Sequence, residues 1–90
     1  MDETRPKPEQ LSIKAEDDVA KGRFANMAQV GSQPDAFVLD FALVHGKAGW
    51  LLSRVILSPA HAKRLHKVLG ETLARWEERY GAIEPAPHLQ

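Results

Sequence analysis

The sequence contains no cysteine, which excludes disulfides, thiol nucleophiles and metal held by thiolate. A chain without disulfides suits a reducing compartment, so the expectation is a cytoplasmic protein. Charge of one sign is also missing, since twelve Lys and Arg stand against twelve Asp and Glu. That balance, with a pI near 6.9, argues against a dedicated binder of nucleic acid or anionic membrane, whose domains are usually strongly basic. Long hydrophobic runs are absent too. The two longest, Ala36–Val44 and Trp50–Leu57, contain Asp40 and Arg54 and fall short of the about 20 apolar residues that span a bilayer. Met1–Gln10 has no apolar core segment of the secretory kind, so it is not read as a signal peptide.

What is present is an ordinary globular composition, 43% hydrophobic and 27% charged over 90 residues. At 10.0 kDa the chain has room for one small domain. The polar, proline-bearing ends, residues 1–10 and 84–90, read as disordered tails around a single domain at 11–83. Residues 1–18 hold three basic and six acidic side chains, a net charge of −3. Residues 58–80 hold five basic and three acidic, a net charge of +2. An acidic start thus precedes a mildly basic end.

Leu11, Ile13 and Ala15 alternate with Ser12, Lys14 and Glu16, the period-2 pattern of a short half-buried strand. A second strand is expected from about Arg23 to Val30, followed by a turn over Gly31–Asp35 (GSQPD). Ala36–Val44 and Trp50–Leu57 are apolar on both faces, and His45–Gly49 between them carries two glycines, so the pair reads as an antiparallel hairpin. If Val44 stands opposite Trp50, Asp40 falls directly across from Arg54. Opposed charges in that position contribute roughly 0.2–1 kcal/mol.

The last element is a helix over about Pro59–Tyr80. Ser58 is a suitable N-cap, Pro59 suits the first helical position and Gly81 suits the residue past the end. Ala62, Leu65, Leu69, Leu73, Trp76 and Tyr80 recur at steps of three and four, which is one apolar stripe. The fold class is therefore α+β, an antiparallel meander of three to four strands followed by one long C-terminal helix.

One helix stripe covers one face of a small sheet. The residues expected on the other face, Val38, Ala42, Val44, Trp50, Leu52 and Ile56, then form an uncovered apolar patch of the sort that marks an interface. Self-association closes such a patch, commonly with twofold symmetry, so a homodimer or a dimer of dimers is expected. The competing reading folds the N-terminal strand or tail back over this face within one chain. Gly70 in mid-helix costs about 1 kcal/mol relative to alanine, and either marks a close approach by another helix or is simply tolerated.

The matching stretches Gly22-Arg23-Phe24-Ala25-Asn26, Phe37-Val38-Leu39-Asp40-Phe41, Ser53–Pro59, His61–Leu65 and Trp76–Gly81 resemble domain-of-unknown-function family 3467, a set of short prokaryotic and phage proteins. The resemblance covers about residues 12–83. It implies no catalytic residue, because the family has no assigned function. The short HGKAG loop departs from the longer loops of relatives. A weaker similarity, of topology alone, is to the export chaperone SecB, whose subunit places antiparallel strands before a long helix and assembles into a tetramer; a shared fold does not transfer function.

Candidate chemistry is sparse. His61 and His66 are five apart, which on a helix turns them to different faces, unlike the i,i+4 pair of a zinc helix. No metal, cofactor or small-molecule substrate is expected. Ser58 and His61 lack the third group and oxyanion site that a nucleophilic pair requires. Asp40 and Arg54 read as a structural ion pair. Asn26, disfavoured in a strand, is assigned either to a bulge or turn backbone or to a ligand or partner contact. Lys63, Arg64 and Lys67 form a modest basic patch with no aromatics suited to base stacking. The expected function is a non-enzymatic oligomeric interaction or assembly module, chaperone-like in character, with another protein as a possible partner. The alternative is a nucleic-acid-associated accessory protein using Lys63, Arg64 and Lys67.

Overall fold

A computed structural model describes residues 11–86. Five elements follow in order: a short helix α1 (Asp17–Lys21), strands β1 (Met27–Gln33), β2 (Ala36–His45) and β3 (Ala48–Leu57), and a long helix α2 (Pro59–Tyr80). The strands form one antiparallel sheet in the order β1-β2-β3, so the α+β meander-then-helix architecture is as the sequence indicates.

The ends of α2 show why its boundaries are local properties of the chain. Ser58 is extended, and its Oγ accepts a hydrogen bond at 3.2 Å from the backbone N–H of His61, satisfying one of the amides a helix start leaves unpaired. Pro59 occupies the first turn, where no amide is missed. At the other end Gly81 takes φ +104°, and its N–H returns to the Glu77 carbonyl.

The strands depart from the sequence expectation in three places. Leu11–Ala15 forms no strand: alternation specifies a face, but a strand also needs a neighbour for its backbone groups, and this segment has none. The chain instead forms α1, with Asp17 and Asp18 in its first turn, Lys21 in its last and Gly22 at φ +79° after it. Five residues are too few to show a helical period. The second strand begins at Met27 rather than Arg23 and runs through Gly31 to Gln33, which pairs with Ala36. The reversal thereby shrinks from GSQPD to Pro34-Asp35, with Pro34's fixed φ suiting the first central position of a turn.

The third departure is in the β2–β3 hairpin. Asp40 does stand opposite Arg54, and Phe41 opposite Ser53, but a register shift follows and Ala42 pairs with Leu51. Leu52 is the extra residue of a β-bulge. Beyond it Leu43 pairs with Trp50 and Val44 with Gly49, so the expected Val44–Trp50 pair does not form. The connection narrows to Gly46-Lys47, with only Gly46 at positive φ (+63°), the pattern of a tight hairpin that places glycine first.

Directly paired residues share a face of the sheet. One face carries Phe37, Leu39, Phe41 and Leu43 of β2 with Val30, Trp50 and Val55. The early turns of α2 lie over this helix face, and Val30, Phe37, Leu39, Pro59, Ala62, Leu65, His66 and Leu69 bound an open cleft of about 570 Å³. The reverse face carries Val38, Asp40, Ala42 and Val44 with Leu51, Arg54 and Ile56.

Among the described residues none is buried. Only the central strand, Ala36–Val44, is half-buried along its length. The α2 stripe faces open space: Leu69 is 54% exposed and Tyr80 62%. The radius of gyration, 16.0 Å, exceeds the about 12 Å of a compact chain of this length. Of the expected tails, residues 1–10 and 87–90 lie outside the described residues; 84–86 are exposed and without regular structure.

Candidate assembly surfaces

Two polar constructions hold the sheet, and both are finished within the chain. Arg54 donates from Nε to Asp40 Oδ1 at 2.7 Å and from a terminal nitrogen to Asp40 Oδ2 at 2.9 Å, a bidentate fork. The guanidinium hydrogen bonds, aided by its charge, hold the Asp40 carboxyl below its ordinary range against a smaller opposing effect of desolvation, and Asp40 in turn raises Arg54. This pair sits on the reverse face, flanked by Val38 and Ala42 on β2 and Ile56 on β3.

Asn26 is the second. Its side-chain Nδ2 donates to the Val44 carbonyl at 2.9 Å, its Oδ1 accepts from the Val44 N–H at 2.8 Å, and its own N–H donates to the Ala42 carbonyl at 3.1 Å. The carboxamide therefore acts as a surrogate peptide unit, extending the β1 ladder by one rung where the backbone has already turned away. Of the two roles open to Asn26, the backbone one is seen here; the local signal was an asparagine one residue ahead of a strand.

The bulge at Leu52 redistributes the candidate interface residues. Val38, Ala42, Val44 and Ile56 share the reverse face, whereas Trp50 is carried to the helix face beside Leu43. Leu52 lines a second, smaller cleft with Phe41, Ser53, Val19, Arg23 and Ala25. The residue that sequence reasoning missed is Leu51, brought opposite Ala42 on the reverse face and 56% exposed. No pattern in the sequence signals it, because a bulge changes the parity of every residue beyond it.

Lys63, Arg64 and Lys67 are all exposed on α2; Lys63 lies at the rim of the larger cleft. His61 contributes its backbone N–H to the Ser58 cap, and its ring is exposed. Among the described residues no three His, Asp or Glu side chains gather in a metal-holding group, and no helix is long and apolar enough to cross a membrane. Gly70 has open space where a Cβ would stand, so nothing within the chain requires glycine there.

Fold and surfaces together describe a small α+β chain with apolar surface exposed on both faces of its sheet. The chain belongs to the family described as protein of unknown function DUF3467, whose model matches residues 1–85. No curated protein and no solved structure matches it, and the similarity to SecB finds no support among them.

Proposed function

We propose that the chain is a subunit of a homo-oligomer, a homodimer or a dimer of dimers, that serves as a non-enzymatic interaction or assembly module. The observation that carries this reading is the absence of any buried residue among those described. Burial of apolar surface is the main favourable term in folding, and a sheet and helix whose best-covered strand is only half-buried obtain a small part of it. The chain exposes 8510 Å², about 3,300 Å² more than the about 5,200 Å² expected of a compact 10.0 kDa monomer. About a quarter of that excess matches the roughly 800 Å² that a stable interface removes from solvent on one partner.

A second copy is the occupant because it is present wherever the chain is, at the stoichiometry the fold needs. Once the reverse faces are paired, the cleft of Val30, Phe37, Leu39, Leu65 and Leu69 offers apolar, groove-shaped surface to another polypeptide. That is the sense in which the module is chaperone-like. The test is the solution mass by light scattering at low and high salt. A multiple of 10.0 kDa that persists at high salt is expected, because apolar burial is not screened. A monomer at both salts overturns the reading.

A further inference from the structure

We propose that residues Leu11–Phe24 form an exchanged arm, with Leu11–Ala15 adding as a fourth strand to the free edge of β3 in a second copy. The inference rests on the homo-oligomer reading and says which segment closes the assembly. Within 14 residues the arm presents Leu11 at 50%, Ile13 at 86%, Val19 at 68% and Phe24 at 78% exposure. Single exposed hydrophobics are ordinary, but four in so short a segment form a surface that asks for a cover. The alternation of Leu11, Ile13 and Ala15 with polar residues is a strand pattern without a strand.

The complementary feature is at the far side of the sheet. β3 is ten residues long, its outer side is unpaired among the described residues, and between Ala48 and Leu57 it holds one charge and no proline. Natural edge strands are kept short, charged or bulged; β3 has its bulge only at Leu52 and otherwise offers a template for an added strand. The other edge, β1, is seven residues with Gly31 and three polar side chains, Gln29, Ser32 and Gln33. Between Leu11 and Ala15 the arm carries a single charge, Lys14, and the single charge of β3, Arg54, is already paired with Asp40, so no unpaired like charge on β3 opposes the pairing.

The seat is not in the same chain. Val19, Arg23 and Ala25 come back over the helix face beside Phe41, Leu52 and Ser53, yet Ile13 remains the most exposed large hydrophobic described and the β3 edge stays unpaired. Exchange between two copies covers the β3 edge of each by the same reciprocal contact, as a twofold axis does.

The experiment is isotope-filtered NMR on a refolded equimolar mixture of ¹⁵N-labelled and ¹³C-labelled full-length chains, with solution mass measured on the same sample. Contacts between Leu11–Ala15 of one label and Ala48–Leu57 of the other are expected. Contacts confined to one label in an oligomer overturn the exchange and leave the oligomer standing, as does an oligomer in which β3 shows no arm contact at all; a monomeric mass removes both readings. The variant Ile13→Pro, which takes away the amide and the apolar side chain together, provides a second readout: about tenfold faster amide exchange along β3 and a weaker oligomer are expected. Unchanged exchange along β3 in that variant overturns the arm.

Discussion

Asn26 does the work of a backbone residue with its side chain. Because both polar ends of the carboxamide meet Val44, removing them leaves an N–H and a C=O without partners at the end of β2. Asn26→Ala is expected to lower stability by about 1–2 kcal/mol, the worth of two partly exposed hydrogen bonds, seen as a lower urea midpoint. Asn26→Asp should be at least as damaging despite its near-identical shape, since a carboxylate cannot donate to the Val44 carbonyl; a midpoint equal to that of the unaltered protein would remove the surrogate-peptide role. Asp40 makes the complementary case for charge. Its carboxyl titrates below the ordinary range because Arg54 hydrogen-bonds the ionised form. A depressed folded pKa gives stability that is full above the unfolded carboxylate value, about 3.9, and is lost as pH falls through the lower folded value. Denaturant midpoints measured from pH 5 downwards should fall more steeply for the unaltered protein than for Asp40→Asn, which has no proton to take up.

At the scale of elements, legibility in the sequence followed the range of the interactions. The helix α2 was readable to the residue because its caps, Ser58 and Gly81, and its stripe act over a few positions. The hairpin was readable halfway: the Asp40–Arg54 rung is there, but the Leu52 bulge lies between it and the turn, and Trp50 changes face as a result. The Leu11–Ala15 strand was not found because pairing is a property of two segments, and the pattern shows only one. Gly70 offers a test at this scale. In its own chain a Cβ there meets nothing, so Gly70→Ala should recover about 1 kcal/mol of helix propensity and raise the melting temperature by roughly 4–8 °C. A lower melting temperature, dependent on protein concentration, would instead place the helix of another copy against that position.

The molecule as a whole is shaped by surplus apolar surface, and the bulge divides that surface into two faces with separable consequences. Val38 lies on the reverse face with Leu51 and Ile56; Trp50 lies on the helix face with Leu43. If copies meet through the reverse face, Val38→Ala removes buried methyl groups and Trp50→Ala does not. Truncations of this kind cost about 1 kcal/mol or more at an interface core, so a dimer dissociation constant about fivefold to tenfold larger is expected for Val38→Ala. Leu51→Asp should act more strongly, setting a charge opposite Ala42 in a face that must be desolvated. Sedimentation or light scattering across a dilution series reads all three. Weakening by Trp50→Ala alone would move the interface to the helix face, where the α2 stripe of Leu69, Leu73 and Trp76 stands equally open. Loss of association in neither variant would leave the sheet faces free and place the contact on the arm and edge.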